Sequence, residues 1–474
     1  MNAFKLLALL GAILAAPASA LAAAAPPVSY VLVGPDGARL ARALTLGADC
    51  PAIVMDGRSS PMAVRAPAGA APLRTTRSDP ADSKPSVFAR TVCEALIPAS
   101  VRRAAIDGAP LPLPPARITR IVVIGDTGCR LKKSPTGSAY QACNSKADYA
   151  FARVAASAAA WKPQLVVHVG DYHYRESPCP EGNAGCAGSV WGYGGDSWMA
   201  DFFEPGAPLL RAAPLALSRG NHESCSRGGQ GWMRFLDVAP FSAARSCDDP
   251  ANDAVADYSD PFAIPLGGGA QLIMFDSSNA PAGVMPAGDI RLGRYNDNFV
   301  AMRALATRAP YNIMVDHHPL LNLGAYAGPD GKVSVVGGNA GLQQVFGPLS
   351  PTFAPPGVKL LLSGHVHLWE ATSFNGAFPG QFVAGFSGTQ EETVPLPPAA
   401  PPGVMAAPGA VVDAFSSWSV GFGFMTMTRT GPDRWRVEVR DLDGKVVNRC
   451  RVAGSKISCN LGYVPPYGTK APRR

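Results

Sequence analysis

The sequence has little charge for its length and no dense basic segment. Only 16% of its 474 residues are Asp, Glu, Lys or Arg, and the net charge of +7 is spread along the chain. This distribution argues against a nucleic-acid-binding module and gives only weak electrostatic attraction for anionic substrates. The ten cysteines include no C-x-x-C pair, which argues against a metal site built from thiolates.

Beyond the N-terminus, the sequence lacks any apolar stretch that is long enough to span a membrane and free of charged and turn residues. The N-terminus itself has the features of an export signal. Lys5 precedes an apolar run over residues 6–15, and Ala18-Ser19-Ala20 has the small-x-small form of a cleavage site. We therefore predict a signal peptide over residues 1–20 and a periplasmic or secreted mature protein with no membrane span.

The cysteine spacing agrees with export. The number of cysteines is even, and in an oxidising compartment local pairs staple loops. Two cysteines distant from the others, Cys50 and Cys93, are left to pair with each other. The local pairs that we predict are Cys129 with Cys143, Cys179 with Cys186, Cys225 with Cys247, and Cys450 with Cys459.

Motif content divides the chain into three parts after the signal. Residues 26–115 contain no histidine and show short apolar stretches between Gly, Pro and Asp, which predicts a small β-rich domain. Residues 116–430 carry the polar clusters described below, and residues 431–474 are predicted to form C-terminal strands and a tail. The Pro/Ala-rich segment at 388–413 is either an insertion or an active-site lid.

Near-continuous apolar runs, each ending in a polar cluster, dominate the middle of the chain. Such runs are typical of strands that are covered on both faces, and an Ala-rich stretch at 147–161 predicts a helix between the first two. Ligands of α/β folds bind where the carboxyl ends of the strands meet, so the polar clusters should converge on one rim. The runs are 121–124, 165–169, 214–218, 272–275, 313–315 and 358–362.

Five of these clusters form an ordered set, and the set resembles the motifs of a known family. The clusters are Gly125-Asp126-Thr127-Gly128, Gly170-Asp171-Tyr172-His173-Tyr174, Gly220-Asn221-His222-Glu223, Val315-Asp316-His317-His318 and Gly364-His365-Val366-His367. They resemble those of the calcineurin-like metallophosphoesterases and, more narrowly, the purple acid phosphatases. The resemblance covers roughly residues 118–370. It implies an α/β fold, a β-sandwich flanked by helices (αββα).

The same resemblance implies a centre of two metal ions. Asp171 would bridge the ions, because two cations close together need a shared anionic ligand. The first ion would also bind Asp126, Tyr174 and His367, and the second would bind Asn221 and His365. A histidine of the fourth motif would be a further ligand. Ordinary phenols ionise near a pKa of about 10, so a tyrosinate ligand favours Fe(III) beside a divalent ion such as Fe, Zn or Mn. The simpler alternative is that Tyr174 only packs against its loop.

The fourth motif has two interpretations. His318 completes V-x-x-H from Val315, whereas His317 forms H-x-P with Pro319. We favour His317 as the ligand, which leaves His318 to face the substrate.

The remaining polar residues near the motifs are assigned by the same resemblance. His222 would be the catalytic residue, a protonated imidazole that donates to the leaving oxygen, with Glu223 as its orienting partner. Among nearby arginines we choose Arg175 for substrate binding, since guanidinium groups suit phosphate oxygens. His168 is interpreted as structural, and His173 as either structural or substrate-facing.

We therefore predict an exported dinuclear-metal phosphoesterase that hydrolyses phosphate monoesters of small molecules by attack of a metal hydroxide, as an acid phosphatase does. One alternative is a phosphodiesterase or nucleotidase of the same fold, because substrate choice lies in the loops at 176–198, 224–260 and 388–413. Another is a metal-containing binding protein without activity. The complete ligand set argues against the last of these.

Overall fold

The structure is a computed structural model, and it describes residues 28–134, 138–328, 330–390, 392–397, 404–461, 463–464 and 468–469. The predicted signal peptide at 1–20 and part of the 388–413 segment lie outside the described residues. Within the described ranges, every helix is too short or too polar to cross a membrane.

A large mixed sheet forms one half of the molecule. Its middle is parallel, because Leu165–His168 pairs with Arg120–Ile124 on one side and with Leu215–Leu217 on the other. These strands are apolar and buried, as strands covered on both faces must be. The eleven strands described for this sheet are, in spatial order, Lys456–Cys459, Val446–Ala453, Arg434–Asp441, Gly423–Arg429, Arg120–Ile124, Leu165–His168, Leu215–Leu217, Val28–Val33, Arg39–Thr45, Thr91–Ile97 and Ala63–Ala66.

A second mixed sheet forms the other half. Its parallel part contains Ala270–Met274, Tyr311–Val315, Val358–Ser363 and Gly380–Ala384. The nine described strands follow the order Phe262–Gly267, Ala270–Met274, Tyr311–Val315, Val358–Ser363, Gly380–Ala384, Trp369–Phe374, Val412–Trp418, Tyr463–Val464 and Gly468–Thr469.

The two sheets pack face to face, with helices on both outer sides. Ile121, Val167 and Leu272 belong to the apolar core between the sheets. Phe151–Ala160 and Glu204–Ala212 cover the outer face of the first sheet, and Ile290–Ala306 and Ala340–Phe346 cover that of the second. The predicted αββα sandwich is therefore confirmed.

Local sequence explains the first of these helices. The Ala-rich stretch predicted at 147–161 forms a helix at Phe151–Ala160, and its buried residues Phe151, Val154, Ala155 and Ala158 recur on one face. Shorter helices are Gly195–Trp198, Gly229–Phe235 and Asp253–Ala256, a π-helical turn lies at Met199–Phe203, and 3-10 turns lie at Pro35–Gly37, Pro80–Asp82, Asn221–Glu223, Ala243–Arg245 and Pro250–Asn252.

The N-terminal region is β-rich, as predicted, but its strands join the large sheet. Val28–Val33 pairs in parallel with Leu215–Leu217, with Leu32 opposite Leu215. This pairing satisfies a strand edge that would otherwise be exposed. The domain boundaries 26–115, 116–430 and 431–474 stay predictions.

Four small sheets complete the described strands. They are formed by Ala109–Pro110, Ala104–Ile106, Ala52–Met55 and Arg58–Pro61, by Gly69–Ala70 with Val87–Phe88, by Leu131–Lys132 with Ala139–Tyr140, and by Gly324–Ala327 with Val333–Val336.

Candidate metal centre

Five strand ends deliver polar side chains to one rim of the sandwich. Three of these strands belong to the first sheet and two to the second. The residues that follow them are Asp126 after Arg120–Ile124, Asp171 after Leu165–His168, Asn221 after Leu215–Leu217, His317 after Tyr311–Val315, and His365 after Val358–Ser363. This arrangement confirms the predicted common rim for five of the six strand ends. The residue at the sixth, Asp276, instead faces Arg219, with Oδ2 3.8 Å from Nη1.

Backbone conformation at the rim is unusual. Asp126, Asp171 and His365 have φ values of 54°, 60° and 69°, a region that L-residues rarely adopt. Such conformations persist where the surrounding structure holds them, and they concentrate at functional sites. The sharp reversal after each strand turns the side chain toward the space between the two sheets.

Two glycines allow the loops to approach each other. A Cβ at Gly220 would lie 2.1 Å from Asp171 Oδ1, and a Cβ at Gly170 would lie 2.4 Å from His317 Nδ1. Both positions therefore require glycine for the carboxylate of Asp171 and the imidazole of His317 to occupy the centre. This packing gives a structural reason for the glycine in two of the motifs.

Tyr174 stands at the centre of the first cluster of donors. Its hydroxyl lies 2.7 Å from Asp171 Oδ2, 3.0 Å from Asp126 Oδ1 and 2.9 Å from His367 Nε2. Burial and the two carboxylates raise the pKa of Tyr174 well above its ordinary value. The hydroxyl thus contacts all the other residues predicted to bind the first ion. The alternative, in which the Tyr174 ring only packs against its loop, does not account for these contacts.

A second cluster surrounds Asn221. The Asn221 Oδ1 atom lies 3.0 Å from His317 Nε2 and 2.9 Å from His365 Nδ1. His317 Nε2 is also 3.2 Å from Asp171 Oδ2, so Asp171 touches both clusters. His317 Nδ1 donates to the carbonyl of Val169 at 2.8 Å, which leaves Nε2 free to face the centre.

His318 lies beside this second cluster. Its ring centroid is 4.3 Å from that of His365 and 5.0 Å from that of His317. Its Nδ1 is 3.4 Å from Ser277 Oγ, and burial lowers the pKa of His318 well below the ordinary value. His317, in contrast, contacts both Asn221 and Asp171, which favours His317 over His318 as the metal ligand.

The chemistry of these donors fits metal cations. Ligand atoms of Asp126, Asp171 and His317 lie within 4.8 Å of one another, and so do those of His317, His318 and His365. Asp126 and Asp171 are fully buried, and among the described residues neither forms an ion pair with a Lys or Arg. Buried carboxylates need a compensating charge. Oxygen and imidazole donors are suitable ligands for Fe, Zn and Mn.

His222 is held in a charged network next to these clusters. Its Nδ1 lies 3.0 Å from Glu176 Oε1, and its ring centroid is 3.8 Å from that of Tyr174, with the two rings tilted by 34°. Arg227 Nη2 is 2.8 Å from Nδ1 and 2.9 Å from Nε2. Burial and then the charge of Arg227 lower the pKa of His222 to about 3. Burial and the charge of Arg227 thus disfavour the protonated form of the ring, whereas Glu176 favours it, and the proposed role of His222 stays a prediction.

The expected orienting role of Glu223 is wrong. Its carboxylate accepts backbone N–H groups of Asp171 at 3.1 Å, Tyr172 at 2.8 Å and His173 at 3.2 Å, and so fixes the loop that carries Asp171. Burial raises the pKa of Glu223 to about 8. Glu176 contacts the His222 ring instead. Sequence reasoning missed Glu176 because it matches none of the family motifs, although it lies two residues after Tyr174.

The arginines near the motifs differ in their surroundings. Arg175 is buried, and its Nε lies 2.5 Å from Asp201 Oδ1, so the guanidinium has an internal carboxylate partner. Its predicted substrate contact stays untested. Arg130 lies 5.3 Å above the Tyr174 ring, with Nη2 3.5 Å from His367 Nδ1 and an ion pair to Glu392. Arg130 therefore lies beside the first cluster of donors.

The other two histidines are internal. His168 is buried, stacks on Tyr172 at 3.8 Å, and its Nε2 is 3.0 Å from Thr127 Oγ1, which agrees with a structural role. His173 is also buried, and its Nε2 lies 2.9 Å from the carbonyl of Gly192. This contact favours the structural alternative for His173.

The start of the 388–413 segment packs against the centre. The carbonyl of Gln390 lies 2.8 Å from His367 Nδ1, which orients Nε2 toward Tyr174. The backbone N–H of Thr389 donates to the carbonyl of Asp126 at 2.8 Å. These contacts could not be predicted from the motifs, because they are made by backbone groups.

All five predicted disulfides are formed. Cys50–Cys93 lies in the N-terminal region, and Cys450–Cys459 joins neighbouring C-terminal strands. Three others lie in the loops around the centre: Cys129–Cys143, Cys179–Cys186 and Cys225–Cys247. This agrees with an oxidising compartment, where such bonds persist.

The four-layer sandwich and the donors at its strand ends define a class of protein, the phosphoester hydrolases that depend on metal ions. A family model described as calcineurin-like phosphoesterase matches residues 119–368, more than half of the sequence, and the chain belongs to this family. No curated protein sequence gives a significant match.

A solved structure agrees with this fold. The chain is similar to a purple acid phosphatase from yellow lupin (Lupinus luteus) seeds, with a TM-score of 0.52 and 14% identity over 90% of this chain and 74% of the other. It also matches PhoD, with a TM-score of 0.48 and 11% identity over 92% of each chain. At such low identity the lupin protein is evidence for the fold alone.

Proposed function

We propose that the protein is an exported phosphatase with two metal ions that hydrolyses phosphate monoesters of small molecules. The observation that carries this proposal is the position of the Tyr174 hydroxyl, which meets Asp126, Asp171 and His367 within 3.0 Å. A tyrosine among carboxylate and imidazole donors is the feature that distinguishes the purple acid phosphatase motifs from those of many other metallophosphoesterases.

The proposed ligands divide into two sets that share one residue. Asp171 contacts Tyr174 on one side and His317 on the other, as a bridging carboxylate should. The first ion would be held by Asp126, Asp171, Tyr174 and His367, and the second by Asp171, Asn221, His317 and His365. The contacts within each set, at 2.7–3.2 Å, support this division.

Tyr174 favours Fe(III) in the first set. Burial and then the two carboxylates beside the phenol raise its pKa, so the phenolate form requires a strongly Lewis-acidic cation. The second set contains one amide oxygen and two imidazoles besides the bridge, which suits a divalent ion such as Fe, Zn or Mn. When bound, such ions polarise phosphate oxygens and lower the pKa of water.

The chain's own residues would bind and orient the phosphate ester. The Nε2 atom of His222 lies 3.9 Å from Asp171 Oδ2 at the centre and 2.9 Å from Arg227 Nη2. It can hydrogen-bond a phosphate or leaving-group oxygen once Arg227 gives up its contact with Nε2. Glu176 and Arg227 hold its ring in place. Arg130 lies above the Tyr174 ring and can bind a phosphate oxygen if Glu392 yields its place.

Export is supported by the five disulfides, since such bonds are rare in reducing compartments. Mass spectrometry of the N-terminus of the exported chain tests the proposed cleavage after residue 20. An N-terminus that still carries residues 1–20 would contradict this part of the proposal.

Hydrolysis of a chromogenic phosphate monoester and of its matched diester tests the activity. We expect metal-dependent turnover of the monoester, and its loss in Asp171→Asn. Asp297→Asn, which removes an exposed carboxylate on the helix Ile290–Ala306, is the matched control and should keep full turnover. Preference for the diester would instead assign the protein as a phosphodiesterase, and metal binding without turnover of either would favour a non-catalytic role.

A further inference from the structure

A cavity near the proposed metal centre is lined by residues of both sheets, among them Leu217 and Met274. Its volume is about 730 Å³, within the range of about 300–1,000 Å³ that small-molecule pockets occupy. None of the proposed metal ligands lines it. Its wall is largely apolar and aromatic, with side chains that include Leu217, Trp232, Val238, Phe262 and Phe275.

A carboxylate oxygen in this wall lacks a hydrogen-bond partner. Asp276 is 7% exposed; its Oδ1 accepts the N–H of Ser278 at 3.0 Å, whereas Oδ2 accepts no hydrogen bond from the described residues. The nearest cation, Arg219 Nη1, is 3.8 Å away, too far for a hydrogen bond. Buried polar atoms nearly always have a hydrogen-bond partner, so an oxygen without one is available to accept a hydrogen bond from a ligand.

Arg219 is already engaged elsewhere. Its Nε donates to the carbonyl of Glu223 at 2.8 Å and its Nη1 donates to that of Ala256 at 2.7 Å. Its Nη2 lies 3.4 Å from Asp257 Oδ1. The guanidinium therefore cannot turn toward Asp276 without giving up these contacts.

The other charges in the wall are paired or stand at the mouth. Asp237 pairs with Arg245, and Asp36 pairs with Arg308 at 3.1 Å. Arg294, an exposed residue, donates to the carbonyl of Ala254 at 2.9 Å. Asp260 is exposed. Two buried polar atoms in the wall have no partner among the described residues, the acceptor Asp276 Oδ2 and the donor Trp232 Nε1. The carboxylate of Asp276 disfavours an anion beside it and favours a cationic donor.

We propose that this cavity binds a small molecule that carries a protonated amine on an apolar body. The amine donates to Asp276 Oδ2 and the apolar body contacts Leu217, Trp232 and Phe275. A charged donor to a buried carboxylate forms the stronger class of hydrogen bond. This site is independent of the phosphatase activity proposed above.

The occupant would touch residues that adjoin the metal centre. Asp276 precedes Ser277, whose hydroxyl accepts the backbone N–H of His317 at 3.0 Å and of His318 at 2.9 Å. Arg219 is two residues before Asn221 in the chain. The cavity wall therefore adjoins the residues that support two proposed ligands, and it leaves the ligands themselves uncovered.

Calorimetric titration of the full-length protein with 3-phenylpropylamine, n-hexylamine and the neutral 3-phenylpropanol tests the proposal. We expect saturable binding of both amines, with the alcohol about tenfold weaker than the phenyl amine, since a charge-assisted hydrogen bond contributes about that factor. Asp276→Asn should weaken binding of the amines about tenfold and leave that of the alcohol unchanged. Asp297→Asn is the control and should bind as the unchanged protein does.

Val255→Trp gives a second variant that does not replace a buried residue. Val255 lines the cavity and is 51% exposed, so an indole there narrows the entrance. We expect weaker binding of both amines and of the alcohol. The proposal is overturned if neither amine binds saturably, if amine and alcohol bind equally well, or if both variants bind the amines with unchanged affinity.

Discussion

The Glu176 carboxylate lies 3.0 Å from Nδ1 of His222 and holds this ring against the proposed metal centre. The same carboxylate accepts a hydrogen bond from Arg227 Nε at 2.6 Å and from Ser78 Oγ at 2.6 Å. Because Glu176 is fully buried, these contacts leave it little freedom. The imidazole of His222 is therefore preorganised by residues that are not ligands in the proposed centre.

His222→Ala should lower kcat by about 10²–10⁴-fold, because the variant lacks the group that hydrogen-bonds the leaving oxygen. Both metal ions should remain bound, because His222 is not one of the proposed ligands. Metal content by elemental mass spectrometry and turnover of a monoester measure the two effects separately. His222→Asn, which keeps a hydrogen-bonding group, should retain more turnover than His222→Ala. Full turnover in the alanine variant would remove His222 from the mechanism.

Tyr174→Phe should abolish visible absorption of the iron-loaded protein, because the proposed colour arises from charge transfer between the phenolate and Fe(III). The oxidised unchanged protein is expected to be coloured. Tyr172→Phe is a matched control: Tyr172 is equally buried, and its hydroxyl donates to the carbonyl of Ser218 at 2.9 Å instead. A colourless oxidised protein with iron bound would contradict the tyrosinate assignment.

His317→Ala and His318→Ala should differ in metal content. His317 contacts both Asn221 and Asp171, so its loss should remove about one of the two ions. His318→Ala should retain both ions and raise KM, because His318 is proposed to face the substrate. Elemental analysis after dialysis decides between them, and loss of an ion only from His318→Ala would reverse the assignment.

Glu370→Gln should make the protein more stable at pH 8 than the unchanged chain. Burial raises the pKa of Glu370 from the ordinary 4.5 to about 8. The folded state therefore binds the proton more tightly than the unfolded state, and the free energy of unfolding falls as pH rises from about 5 to 8. Glutamine does not titrate and can still accept hydrogen bonds from Leu323 N and Thr372 Oγ1.

Denaturant unfolding at pH 5 and pH 8 measures this difference. With about 1.4 kcal/mol per pKa unit, the advantage of Glu370→Gln should grow by more than about 1 kcal/mol between the two pH values. Glu181→Gln, at an exposed position, should follow the unchanged protein at both. An advantage of Glu370→Gln that does not change with pH would contradict the proposed titration of Glu370.

Strand positions and the residues at their ends were predictable from the sequence. Apolar runs such as 121–124 and 165–169 report burial on both faces directly, because a strand in a covered parallel sheet has no polar face. Since parallel strands end at a common edge, the clusters after them had to meet. The four local disulfides were predictable because each joins cysteines that are near each other in the chain.

The environment of His222 could not be predicted from the sequence. Glu223 is its neighbour in the chain, yet the loop turns that carboxylate toward backbone N–H groups of the Asp171 loop. Glu176, 46 positions away, fills the place next to the ring. Burial among these residues also lowers the pKa of the imidazole, and burial is a property of packing rather than of residue type.

The sandwich was predictable from the sequence, because apolar runs indicate strands that are covered on both faces. The family and the residues that could hold metal ions were predictable from the motifs at the strand ends. Three other features depend on tertiary contacts: the pairing of Val28–Val33 with the large sheet, the ion pair of Arg175 with Asp201, and the hydrogen bond from His367 to the Gln390 carbonyl. These contacts join segments whose relative positions are set by packing of the whole chain, so no local pattern encodes them.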